Sequence, residues 1–145
     1  MSIWRTLLSL EALNAGAGGT LMQPLGIVFT EIGEDFVRGT MPVDERTRQP
    51  YGLLHGGASV ALAETLGSMG ANMCVDAARY LCVGQEINAN HLKSVRSGSV
   101  TGTARPLHVG SRSQVWGIDI VDPSGALICV SRLTVAVIPR PQTPP

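Results

Sequence analysis

The segment that most constrains the fold runs from Gly52 to about residue 77 and opens GLLHGGASVALAETLGS. Gly56-Gly57 starts a helix there, and about twenty residues of helix reach about 30 Å, the span of a small domain. The helix is poor in charge along its whole length and carries a carboxylate, Glu64, in its middle. Such a helix has no broad face to give to water, so the rest of the chain must nearly enclose it.

After the helix the chain is all strand signal. Candidate strands are 81–93, 98–106, 111–122 and 126–138, bounded by Ser97-Gly98, Pro106 and Asp122-Pro123-Ser124-Gly125. Trp116, Ile118 and Ile120 alternate with Gly117 and Asp119. Residues 127–135 are apolar on much of both faces, the pattern of a strand covered on both sides. Before the helix, residues 6–15 suit a short amphipathic helix released by GAGGT at 16–20. Residues 25–33 and 35–43 suit two strands joined at Gly33-Glu34, and Asp44–Pro50 is a polar loop. One long helix against five or six mostly antiparallel strands is an α+β layout, and a sheet curled around the helix would enclose it. The tail PRPQTPP, 139–145, has no pattern for pairing or coiling and is expected to be disordered, which leaves 1–138 as a single domain.

Composition narrows the function classes. Charged residues make up 15% of the 145, against about 25% in an ordinary soluble domain. Other copies of the chain are expected to cover much of its surface. Net charge is zero, so no basic field is available for nucleic acid. Ten of the eleven basic residues are Arg, which suits phosphate or interface work. Genomic base composition explains the skew equally well. Cys74, Cys82 and Cys129 form no CxxC pair and read as buried free thiols in a reducing compartment, with no metal site. No run approaches the roughly 20 apolar residues of a membrane span, and Glu11 and Asn14 interrupt the apolar N-terminal stretch. A soluble, cytoplasmic protein is expected.

Two features carry chemistry on their own terms. Three and four residues from Glu64 lie Val60, Ala61, Gly67 and Ser68, a small uncharged surround in which a carboxylate is desolvated and reactive. A plain structural glutamate would instead reach the helix end or pair with a distant Arg. Gly56 and Gly57 suit a simple turn. They also suit an oxyanion site, because free N–H groups and the positive dipole end point outward at a helix N-terminus and glycine lets a carbonyl approach.

Four stretches carry a resemblance: LEALNA, MPVDERTRQPYGLLHGGASVALAETLGS, EINANH and PLHVGSRSQVW. The specific part is HGG, with a Glu nine residues after the His, together with HVGSR. With the last strand these cover the chain to about residue 138. On them the chain resembles the hotdog-fold acyl-CoA thioesterases of the 4-hydroxybenzoyl-CoA and phenylacetate-degradation type. The resemblance implies a strongly curved antiparallel sheet wrapped around a central helix. It also implies dimers joined sheet edge to sheet edge and paired again into tetramers, with active sites between subunits.

The same resemblance assigns roles. Glu64 would attack the thioester carbonyl to give an anhydride, or activate a water. The Gly56 N–H would polarise the carbonyl. His55 would support the oxyanion end, where it otherwise only caps a turn. Gln49 would contact the thioester or orient water from the partner subunit, where it is otherwise a solvated loop residue. Ser68, one turn past Glu64, would hold the carboxylate or the water, or merely pack. His91 would line the acyl pocket with Gly67, Ser68 and Ala71, although a lone strand histidine is usually structural. Gly84, His108, Gly110, Ser111 and Arg112 would hold the CoA nucleotide. The implied substrate is an aromatic acyl-CoA, with side activity on medium aliphatic chains and an acyl carrier protein as another possible carrier. No cofactor is implied, since CoA is part of the substrate. An acyl-thioester hydratase or dehydratase on this fold would carry a helix histidine, and the helix has none after His55. A non-catalytic acyl-CoA sensor would carry a DNA-binding module.

Overall fold

The computed structural model describes residues 1–142, so part of the tail expected to lack structure, 143–145, lies outside the described residues. The element order is α1 (Leu10–Ala15), α2 (Met22–Leu25), β1 (Val28–Ile32), β2 (Val37–Pro42), α3 (Gly56–Met73), β3 (Tyr80–His91), β4 (Ser99–Val109), β5 (Ser113–Val121) and β6 (Leu127–Pro139). The six strands form one sheet in the order β1-β2-β4-β5-β6-β3, with every neighbouring pair antiparallel. The long helix α3 packs on β2, β3, β4, β5 and β6. The sheet therefore wraps the helix, in the α+β hotdog arrangement that the resemblance implied.

Burial explains the wrapping. Leu62, Ala63 and Leu66 of α3 and Trp116, Ile118, Ile120, Leu133 and Val135 of the sheet are at most 1% exposed. Each large apolar side chain buried this way contributes roughly 1.5–3 kcal/mol. Leu66 sits especially deep. Gly39 and Gly102 face each other across β2 and β4. A methyl on either would lie within 2.8 Å of a Leu66 methyl, so the pair forms a notch for this one side chain.

Several boundaries differ from the sequence expectation, each for a visible reason. The first helix begins at Leu10 rather than at residue 6. The N–H groups of Arg5 and Thr6 both donate to the Met73 carbonyl, at 2.8 and 3.0 Å, which keeps the N-terminal segment extended, and Ser9 caps the helix. The same bonds occupy the last carbonyl of α3, which stops at Met73 and not near 77. Asp76 then takes the Ala78 N–H at 3.0 Å and turns the chain. The short α2 was not expected. It ends on Gly26 at φ 68°, a left-handed conformation that glycine adopts without strain, and this delays β1 to Val28. β4 runs through Pro106 to Val109. Its pairing with β2 has ended by Ala104 and the β5 register shifts between Pro106 and His108, so the missing N–H is tolerated there. β6 runs through Pro139. Arg140 is tied to Arg79 by a 2.8 Å backbone bond, so these two tail residues are held. Within one chain β6 is covered on one face only, since Val130, Thr134 and Ala136 remain partly exposed.

Candidate active site

Helix α3 carries one group of site residues at its N-terminus and another in its middle. At the N-terminus, His55 is the cap. Its Nδ1 accepts the Gly57 N–H at 2.8 Å. That nitrogen must therefore offer its lone pair, which leaves the ring proton on Nε2. The Ala58 and Ser59 N–H groups both donate to the His55 carbonyl. Of the donors that open α3, only the Gly56 N–H has no acceptor among the described residues. The His91 ring, at the end of β3, lies on Gly56 so closely that a methyl there would sit 2.7 Å from Nε2.

Gln49 joins this end from the loop before the helix. Its Oε1 accepts the Tyr51 N–H at 2.5 Å and the Leu53 N–H at 3.4 Å. The loop thus consumes the amide oxygen and leaves the NH2 group as the free end. Gln49, Gly56, Ser59 and His91 line a cleft of about 320 Å³. Its one cation, Lys93, is paired with Asp122 at 2.9 Å. The Ser124 hydroxyl and then Lys93 hold the Asp122 carboxyl well below the usual carboxylate range.

Glu64 lies two turns along the helix and is half-buried. Its carboxylate makes no ion pair or hydrogen bond among the described residues. It rests on Gly84 of β3, where a methyl would lie 2.2 Å from Glu64 Oε1. β3 has a register shift between Gly84 and Glu86, an irregularity that bends an edge strand beside the carboxylate. Ser68 is half-buried one turn on, on the same side of the helix.

A model of the thioesterase superfamily matches residues 51–129. The chain is 53% identical to the 1,4-dihydroxy-2-naphthoyl-CoA hydrolase of Escherichia coli K12, over 94% of this chain and 99% of that one. It is 51% identical to the proofreading thioesterase EntH of Cronobacter sakazakii, over 94% and 98%. A crystal structure of a mutant thioesterase from Pseudomonas aeruginosa matches with a TM-score of 0.94 at 49% identity, covering 96% of this chain and 100% of that chain. The chain belongs to the thioesterase superfamily.

Not all the residues read from the sequence of this thioesterase come together. Gln49, His55, Gly56 and His91 gather at the helix N-terminus. Glu64, Ser68 and Gly84 gather at its middle, so Gly84 lies against the carboxylate rather than with the nucleotide group. Gly67 and Ala71 face the core of this chain. A methyl on Gly67 would meet Leu133 at 2.8 Å, and Ala71 is fully buried. His108, Gly110, Ser111 and Arg112 form the β4–β5 hairpin, where the His108 ring lies over Gly110. Sequence reading missed Asn72. Its side chain accepts the Cys82 N–H at 2.8 Å and donates to the carbonyls of Cys82 and Ser68. It pins β3 to the helix beside Glu64, and its place at i+8 from Glu64 and i+4 from Ser68 was the available signal.

Proposed function

We propose that this thioesterase hydrolyses acyl-CoA thioesters, preferentially aromatic ones, at a site that two copies of the chain complete together. The observation that carries the proposal is the half-buried Glu64 carboxylate with no partner, held against the backbone of an edge strand. A charge without a fold-stabilising partner in such a place fits a reacting group.

Spacing supports the two-chain site. Gly56 and Glu64 are eight residues apart on one helix, about 12 Å along its axis. A reacting carbonyl must approach its attacker to about 3–3.5 Å while its oxygen meets a donor at about 3 Å. One chain does not offer both. A second α3 running antiparallel beside the first would bring Gly56 of the partner subunit to Glu64. β3 is a sheet edge of 12 residues with Val83 exposed on it and Leu92 exposed just past its end, and such an edge invites another strand. Asn72 closes that edge at Cys82, which leaves the part beyond it open. The outer face of β6 offers a second surface, for a dimer of dimers. The three cysteines are free and buried, which fits action in the reducing cytoplasm.

In this reading the Gly56 N–H, backed by the positive end of α3, stabilises the carbonyl oxygen as it becomes an oxyanion. The Gln49 NH2 is a second donor, to the thioester or to water. Glu64 attacks the carbonyl carbon, or takes a proton from the water that does. If Glu64 attacks, the C–S bond breaks to give a mixed anhydride and CoA thiolate, and a water then hydrolyses the anhydride to the carboxylic acid and free Glu64, its proton going to the thiolate. If water attacks, the C–S bond breaks directly to the acid, and the proton that Glu64 took passes to the departing CoA thiolate. An acyl carrier protein is the other carrier this chemistry would accept. The similarity to the 1,4-dihydroxy-2-naphthoyl-CoA hydrolase of Escherichia coli supports an aromatic acyl group.

The test is thiol release from aryl, short and medium acyl-CoAs by the wild-type protein and by Glu64→Gln. Benzoyl-CoA or hydroxynaphthoyl-CoA should lead, with measurable turnover of medium chains. A Glu64→Gln enzyme keeping more than about a tenth of wild-type kcat would remove Glu64 from the centre of the mechanism. A kcat/KM for acetyl-CoA about tenfold above that for benzoyl-CoA would overturn the aromatic preference alone.

A further inference from the structure

We infer that Asn14 locks the outer edge of the sheet: it makes β1 refuse a further strand, so that assembly through β3 ends in a closed complex of this chain and does not run on as an open sheet. The inference rests on the two-chain reading above for the pairing at β3 and adds the residue that stops growth at the other edge. It also gives a role to LEALNA, residues 10–15, the one resembling stretch that holds no site residue.

A side-chain amide carries an acceptor oxygen and an NH2 donor, the same two functions that a peptide unit offers to a neighbouring strand. Asn14 spends both on one residue of β1. Its Oδ1 accepts the Phe29 N–H at 2.8 Å, and its Nδ2 donates to the Phe29 carbonyl at 2.9 Å. The side chain thus stands where one residue of a seventh strand would stand. Other groups of the chain take the edge on either side. The Ile27 N–H donates to the Met22 carbonyl at 3.0 Å, and the Gly33 carbonyl accepts the Trp4 Nε1–H at 2.8 Å. Between them the register with β2 shifts at Phe29–Glu31, a bulge that bends the edge, and Glu31 adds a charge, paired with Arg38. Asn14 itself is held by its helix, which Ser9 caps at Ala12 and the buried Leu13 anchors to the core.

The opposite edge shows what the lock prevents. On β3 the side chain of Asn72 takes the N–H and carbonyl of Cys82 alone, and Val83, Gly84, Gln85 and Glu86 lie exposed beyond it. Pairing of β3 with the same strand of a second copy uses one surface twice and closes on itself. Pairing at β1 as well would join each such pair to the next and give an open-ended sheet. Charge does not oppose that growth, because the chain has no net charge. Neither does the sequence of β1, VFTEI, which is rich in β-branched and aromatic residues and leaves Val28 exposed. The backbone groups of the edge must therefore be blocked, and Asn14 blocks the two at its centre.

The experiment is sedimentation of the full chain over a wide range of concentration, for wild type, Asn14→Ala and the double variant Asn14→Ala, Val28→Lys. Wild type should keep one size at high concentration. Asn14→Ala opens both Phe29 groups, and its average mass should rise with concentration to at least twice that of wild type, because each new β1 contact joins two complexes. Adding Val28→Lys puts a charge on the opened edge and should return the mass to the wild-type value. A chain that is only destabilised would not be rescued this way. Turnover per chain should stay at the wild-type rate in Asn14→Ala, since Asn14 belongs to no part of the site. Should Asn14→Ala fail to fold, Asn14→Asp is read in its place. It keeps the acceptor for the Phe29 N–H and frees the carbonyl alone, so it should grow too, and Val28→Lys should reverse the growth. A folded Asn14 variant of wild-type size at every concentration, or growth that Val28→Lys leaves unchanged, would overturn the inference. A wild type that sediments as a monomer would count against the two-chain site, whereas the effect of Val28→Lys on the Asn14 variant speaks to the β1 edge by itself.

Discussion

Glu64 and Gly84 meet face to face: the carboxylate of the helix residue lies where a side chain on the strand residue would be, 2.2 Å from Oε1 to an ideal Cβ. Gly84 is not among the glycines at positive φ, so alanine suits its backbone, and the whole effect of a methyl falls on the carboxylate. Gly84→Ala should lower kcat by roughly ten- to a hundredfold, as a misplacement of about 1 Å does, and leave KM nearly unchanged. Steady-state kinetics beside a melting curve would check this. Wild-type kcat in a folded variant would mean that the strand does not set the carboxylate's position.

The His55 cap separates stability from chemistry. His55→Ala leaves the Gly57 N–H without its acceptor and should cost about 1 kcal/mol, a fall of roughly 2–4 °C in Tm for a domain of this size. His55→Asn restores a cap and should recover Tm. If the ring also serves the reaction through Nε2, kcat stays low in both variants. Recovery of kcat together with Tm in His55→Asn would make the histidine a cap and nothing more.

The orientation of Gln49 makes it a donor. Its oxygen is held by two backbone N–H groups, so only the NH2 group is free to meet substrate or water. Gln49→Glu keeps the acceptor for the loop and removes the donor. It should lose about as much kcat/KM as Gln49→Ala, on the order of 2–3 kcal/mol of transition-state stabilisation. A Gln49→Glu enzyme near wild-type rate would show that the donor is dispensable.

The divided site predicts complementation. Glu64→Ala and Gln49→Ala homo-oligomers should each be inactive, and unfolding and refolding them together should recover part of the wild-type rate. Sedimentation of the wild type should show a dimer or tetramer. Full activity from a monomer in dilute solution would sink the shared site.

Buried thiols set an alkaline limit on stability. Burial pushes the Cys74 and Cys82 thiols up to about 11 from the ordinary 9.0. Below pH 9 both states hold these protons, and the contribution is fully present. Above pH 9 the unfolded chain releases them first, so stability falls as pH rises toward 11. Tm measured between pH 8 and 11 should decline over that window, and native thiols should react with a disulfide reagent far more slowly than unfolded ones. A flat Tm across the window would contradict the burial.

What could be read from the chain itself was what depends on neighbours in sequence. The charge-poor run from Gly56 to Met73 marks the central helix and the odd carboxylate in it, because helix periodicity and glycine punctuation are local. Alternation over Trp116 to Ile120 marks inward strand faces for the same reason. Ends were legible only where the stop is local. Met73 ends α3 because the distant Arg5 and Thr6 occupy its carbonyl, and residues 6–9 stay out of α1 for that cause. The neighbours of Gly84, Asn72 and the Gln49 oxygen, and the hold of Asn14 on Phe29, depend on which strands pair and how the sheet curls. Those are contacts between residues far apart along the chain, and only closure of the sheet around α3 decides them.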